Sequence, residues 1–184
     1  MRVLVIGESC KDEFVYGNCT RLCPEAPAPV FNPMFKTDNG GMAKNVQKNV
    51  LSLGAECDIF TNVNWEDITK TRYIDHNFNH MFIRIDANDG RFSQAGGLEE
   101  IDYSQYCVVI ISDYNKGFLS PSQIGYIATR HDNVFLDTKK ILDEIYDRGT
   151  GAFKTAGPSR PNMTKEQWSF GRIYAFIMKA YDAV

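Results

Sequence analysis

The run Tyr106–Ser112, "YCVVIIS", decides the fold class. It is apolar without alternation, as a strand covered on both faces must be. "DYNKGFL" is its exit. Ser120, Pro121 and Gln123 then form a helix start: a capping hydroxyl, a proline at the first helical position and a reciprocal glutamine. Ile124, Ile127 and Ala128 are expected to face inward, and "NVFLDTKK" follows as the next strand and its exit. Working back toward the N-terminus, "RVLVIG" (Arg2–Gly7) reads as another buried strand. Met42–Leu53 reads as an amphipathic helix with Met42, Val46, Val50 and Leu53 on one face and Gly54 as its stop, and "ECDIF" is again a strand. Two strand–helix–strand units predict an α/β chain built on a mainly parallel sheet flanked by helices.

Between these units the pattern changes. Glu13–Gly17 is a short strand candidate, and "PAPVFNPMF" (Pro27–Phe35) is an extended edge segment, because proline fixes φ and cannot donate to a ladder. "DNGG" is expected to break the chain at Gly40 and Gly41. Strands at about 69 to 74 and 80 to 86, the second with Met81, Ile83 and Ile85 on one side, suggest a separate small sheet. A loop rich in Gly, Pro and Ser covers residues 147–163. It precedes a helix from Lys165 to about Ala180, capped by Thr164 and striped with Phe170, Ile173, Tyr174, Ile177 and Tyr181. That helix packs on the sheet or docks a partner.

The 184 residues are 43% apolar and 23% charged, a globular composition, and the formal charge of −3 with scattered Lys and Arg argues against a nucleic-acid surface. No signal-peptide or membrane-spanning pattern occurs, and the five cysteines (Cys10, Cys19, Cys23, Cys57, Cys107) form no CxxC, so a cytoplasmic protein without a disulfide framework is expected. His76 and His80 are four apart, but their segment does not read as a helix, which disfavours a metal pair.

Three strand exits carry acids, and two carry lysines: Asp12 after the first strand, Asp113 with Lys116 after the central one, Asp137 with Lys139 and Lys140 after the next. Parallel strands bring their carboxyl ends to one edge, where carboxylates can accept sugar hydroxyls or hold a divalent ion and lysines can meet phosphate. Solvated loops and caps explain the same residues. In "NGGMAKN", Gly40 and Gly41 permit positive φ and close approach to a ligand at a helix N-terminus, with Asn45 on the first turn; a tight strand-to-helix turn is the plainer explanation. Arg72 and Arg84 point toward an anionic ligand or to solvent.

The segments "GESCKDEFVYGNCTRLCPEAPAPVF", "NGGMAKNV", "TKTRYID", "IRID", "ISDYNKGFLS" and "LDTKK", in that order, resemble the ribokinase-like (PfkB) carbohydrate kinases, most closely their heptose-7-phosphate kinase branch. The resemblance runs from Arg2 to about Lys140. It implies a partial ribokinase-like fold: a core over 1–148 with a small β lid from strands near 13–35 and 69–92, then a divergent segment at 149–184. It further implies that Asp12 contacts sugar hydroxyls, that Gly40, Gly41 and Asn45 form the sugar-facing turn, that Asp113 and Lys116 lie at the phosphosugar end, and that Asp137 and Lys139 serve the cofactor side. Glu8 stands where the family usually has Asp, Lys44 interrupts a small-residue helix start, and Thr138 replaces Pro. The family's Asn-x-x-Glu and Gly-Ala-Gly-Asp motifs have no counterpart after Lys140, so no catalytic base is identified.

The resemblance therefore implies a carbohydrate kinase transferring phosphate from ATP, with Mg²⁺, to a hydroxyl of a heptose-phosphate-like sugar. The alternative is a non-catalytic relative that binds a phosphosugar or a protein. A homo-oligomer formed through an exposed sheet or the C-terminal helix is expected, with no nucleic-acid or membrane partner.

Overall fold

A computed structural model describes residues 1–139 together with Asp147 and Thr164. The chain divides into two compact units, Met1–Asp137 and Thr138–Val184. The expected C-terminal loop and helix, with the stripe from Phe170 to Tyr181, lie outside the described residues.

The first unit contains two four-stranded sheets. The larger has the order β4-β1-β7-β8, from β1 (Arg2–Gly7), β4 (Glu56–Phe60), β7 (Val108–Asp113) and β8 (Val134–Thr138). β1 runs parallel to both β4 and β7, with Val5 opposite Ile59 and Ile110. The unalternating sequences of β1 and β7 are explained by two cores. Leu4, Ile6, Val109 and Ile111 pack with Phe118, Leu119 and Ile127 on one face, while Val3 and Val5 pack with Ala43 and Cys57 on the other.

Two helices supply those faces. α1 (Ala43–Ser52) lays Ala43, Val46 and Val50 on the sheet, and Gln47 ties it to β4 through the Cys57 carbonyl at 3.0 Å. Gly54 takes φ 80° just past its end, as a C-terminal glycine should. Leu53, expected on the buried face, is instead 86% exposed, because the helix has already ended at Ser52. α2 (Pro121–Ala128) has the expected capping box from Ser120 and Gln123 and buries Ile127. Ala128, at its last position, is exposed rather than inward.

The smaller sheet has the order β3-β2-β5-β6, from β2 (Ser9–Leu22), β3 (Pro29–Met42), β5 (Thr69–Asp75) and β6 (Met81–Ala87). β2 and β3 are much longer than the sequence suggests, since their antiparallel ladder begins at Ser9 opposite Met42 and continues to Leu22 opposite Pro29. Pro29 and Pro33 lie on β3, an edge strand, where a missing donor costs least. The predicted break at Gly40 and Gly41 does not occur. Both are paired within β3 and neither has positive φ; the turn into α1 falls on Met42, at φ 58°. β6 forms the opposite edge, and Met81, Ile83 and Ile85 on it are exposed rather than packed inward.

No helix among the described residues is long and apolar enough to cross a membrane. Ile111 sits at the centre of the larger core with no exposure. Ile111→Ala should lower the unfolding free energy by about 2–5 kcal/mol, read by denaturant titration.

Candidate functional site

The site begins where β1 ends. Glu8, between β1 and β2, is fully buried. Its carboxylate accepts the backbone N–H groups of Tyr114 and Lys116, each at 2.9 Å, and its carbonyl accepts the N–H of Ala43, also at 2.9 Å. One residue thus fastens the β7 exit loop, the start of α1 and the first strand of the small sheet. Burial pushes the Glu8 carboxyl up, against the two loop N–H groups, and the neighbouring Asp113 adds to the rise. Asp113 is buried and accepts the N–H of Asn115 at 3.0 Å, an Asx turn that shapes the same loop.

Asp12 lies on β2 opposite Asn39 of β3 and Lys70 of β5, which itself faces Asp86 of β6. Directly paired residues share a face, and so do residues two apart, so Asp12, Lys70, Arg72, Arg84 and Asp86 stand on one side of the small sheet. Asp12 Oδ1 accepts from Arg72 Nη1 at 2.8 Å, and Arg84 donates to both oxygens of Asp86 at 2.7 and 2.6 Å. Gly41 leaves room for this arrangement: a methyl group there would overlap the Asp12 carboxylate and Cys10 Sγ. Gly40 packs in the same way against the side chain of Lys44, whose ammonium lies 4.1 Å from the Trp65 ring centroid.

The two sheets are joined by charge. Asp89 follows β6 in a turn and meets Lys116 Nζ at 2.7 Å and Lys70 Nζ at 3.0 Å. Burial pushes the Asp89 carboxyl up, but the two ammonium groups outweigh it and hold it below the usual carboxylate range. Tyr114 follows Asp113 on the β7 exit loop. Burial pushes its hydroxyl up, and the charges of Asp137, Cys10, Asp12 and Glu8 all add to the shift. Burial likewise pushes the Cys10 thiol up to about 11, with Asp12 adding.

Asp113 and Lys116 belong to the loop that follows β7, Asp12 and Asp137 lie near enough to raise the Tyr114 hydroxyl, and Gly41 lies against Asp12. Asn45 is exposed on the first turn of α1, and Lys139 is exposed and belongs to the second unit. Glu8, Lys70, Asp89 and Tyr114 were missed as site residues. The alternation of Lys70 and Arg72 in "TKTR" could have pointed to a shared face, whereas "NDG" reads only as a turn. Among the described residues no group of three or more His, Cys, Asp or Glu is placed to hold a metal ion.

The chain is 45% identical to the Bifunctional protein HldE of Nitrobacter winogradskyi, an alignment covering 92% of this chain and 41% of that protein. It is 48% identical to the Bifunctional protein HldE of Nitrobacter hamburgensis, over 80% of this chain and 38% of that one. This chain belongs to the ribokinase-like (PfkB) carbohydrate kinase family. It spans about two fifths of the length of these curated relatives. A putative phosphofructokinase from Staphylococcus aureus shares the fold of this kinase-family chain at a TM-score of 0.51 and 11% identity, covering 80% of this chain and 61% of that one. Residues 128–183 match a family of unknown function (DUF5824), a span that begins at the last residue of α2 and includes β8.

Two measurements probe the site. Gly41→Ala should destabilise the chain by about 1–3 kcal/mol in thermal unfolding, because Asp12 must leave Arg72 to clear the methyl. Asp89 is held below its ordinary value of 3.8, so its stabilising contribution is present above that pH and is lost as pH falls through the folded-state value. The stability gap between the wild type and Asp89→Asn should be open at pH 7 and close progressively below pH 3.8.

Proposed function

We propose that Met1–Asp137 forms the acceptor side of a carbohydrate kinase site and binds a heptose-phosphate-like sugar. The observation that carries this reading is the pairing of two kinds of chemistry on one face of the small sheet, where Asp12 stands opposite Lys70. Asp12, half-buried and oriented by Arg72, offers a carboxylate for sugar hydroxyls. Lys70 and Lys116 offer two ammonium groups for a phosphate. Tyr114, two residues before Lys116, adds an exposed aromatic surface, 39% accessible, on which a sugar ring can rest.

The reaction this site serves is in-line attack of a sugar hydroxyl on the γ-phosphate of ATP, with Asp137 on the nucleotide side. Each of this chain's residues then has a defined task. Glu8 holds the Tyr114–Lys116 loop by its backbone, Asp12 orients the acceptor, and the lysines fix its phosphate. A second reading, phosphosugar binding without transfer, is favoured by Asp113: it is 3% exposed and engaged with Asn115, which makes it a poor general base.

Calorimetry with a heptose 7-phosphate tests the shared part of both readings. Asp12→Ala should weaken binding by about tenfold or more, the loss of charge-assisted hydrogen bonds to hydroxyls. Wild-type protein that fails to bind the sugar phosphate would refute both. ATP consumption that depends on the heptose phosphate and is lost in Asp12→Ala separates the kinase from the binding protein.

A further inference from the structure

The phosphate-binding pair is already occupied by the chain itself. Lys70 belongs to β5 of the small sheet and Lys116 to the β7 exit of the large one, yet both ammonium groups converge on the single carboxylate of Asp89. The three side chains are only 13%, 31% and 24% exposed, so the cluster is largely withdrawn from solvent screening. The fit is incomplete. Oδ2 accepts from Lys116 at 2.7 Å, while the buried Oδ1 faces Lys70 as an ion pair without completing a hydrogen bond.

The backbone around Asp89 is pinned separately from its carboxylate. Asn88 adopts φ 59° and donates through its amide to the Asp67 carbonyl at 2.8 Å, and the N–H groups of Gly90 and Arg91 close a turn on the Asn88 carbonyl. Asn64 holds Arg91 and Ser93 just beyond. The carboxylate can therefore leave the lysines by side-chain rotation, with its turn intact.

We propose that Asp89 is an internal stand-in for the phosphate of the bound sugar, closing the small sheet onto the large one and being displaced when a phosphorylated ligand arrives. This rests on the acceptor-site reading above. A phosphate monoester carries more charge than a carboxylate and has three terminal oxygens to divide between Lys70 and Lys116. It can satisfy both lysines where Asp89 satisfies one. A sugar without phosphate has nothing to offer the lysines and leaves Asp89 in place. The preference for a phosphorylated sugar then comes from Lys70 and Lys116, and Asp89 tempers it, because the incoming anion must compete with its carboxylate for the cationic pair.

Calorimetry on the full chain tests this with two probes, a heptose 7-phosphate and the same heptose unphosphorylated. Asp89→Asn should bind the phosphorylated sugar about tenfold more tightly than the wild type and leave affinity for the unphosphorylated sugar unchanged. Asp89→Ser is the second variant should the first not fold, with the same expectation. Asp89→Glu, which keeps the charge, should show no such gain, and Lys116→Ala should lose the preference for the phosphorylated sugar. A wild type that binds the heptose phosphate, together with folded charge-removing variants that bind it no better, overturns the stand-in alone. No binding of the heptose phosphate by the wild type or any variant overturns the acceptor-site reading and the stand-in with it.

Discussion

A buried carboxylate holds this unit together. Glu8 has no exposure, and the chain tolerates its burial because each oxygen accepts a backbone N–H from the β7 exit loop. The Glu8 carbonyl meanwhile accepts the first N–H of α1. Strand end, helix start and loop are thus tied at one residue without the side chains of the loop being used. The side chains of Tyr114 and Lys116 are left free of this tie, Lys116 to meet Asp89, and the neighbouring segment is secured independently through Asn62, which accepts the Ser9 N–H at 2.7 Å.

From this point the two sheets divide the labour. The large one is an apolar frame filled on both faces, and it carries Asp113 and Asp137 at its strand ends. The small one presents a charged face: an acid–base–acid row crosses the strands from Asp12 through Lys70 to Asp86, and Arg72 stands beside Arg84 in the next row. Such a face is near neutral in the absence of ligand, since Asp12 pairs with Arg72 and Asp86 with Arg84. Binding there exchanges partners rather than creating charge, which keeps the desolvation penalty moderate.

The frame was legible in the sequence because buried parallel strands and capped helices carry local patterns. "YCVVIIS" and the box at Ser120 and Gln123 specify their elements without reference to anything distant. The small sheet was legible only in outline. β2 and β3 extend to Ser9 and Met42 through pairing with each other, and the two glycines look like a break until their partners, Cys10 and Lys11, are known. Asp113 and Asp137 were read where they stand, at the ends of β7 and β8, whereas Asp12, expected at the exit of β1, lies within β2 of the small sheet. Glu8 and Asp89 were not read, since their roles arise from partners about 106 and 27 residues away, and nothing adjacent to either residue announces them.

The contact of Lys44 with Trp65 gives this chain a built-in optical probe. The indole sits beneath an ammonium group at the first turn of α1, beside Gly40, and the chain contains one further tryptophan, Trp168. A nearby cation shifts the excited-state energy of an indole, so any movement of the helix start against the strand before it will change the colour of Trp65 emission. With Trp168 replaced by phenylalanine, that colour reports on the junction of β3 and α1 in real time, without an attached dye.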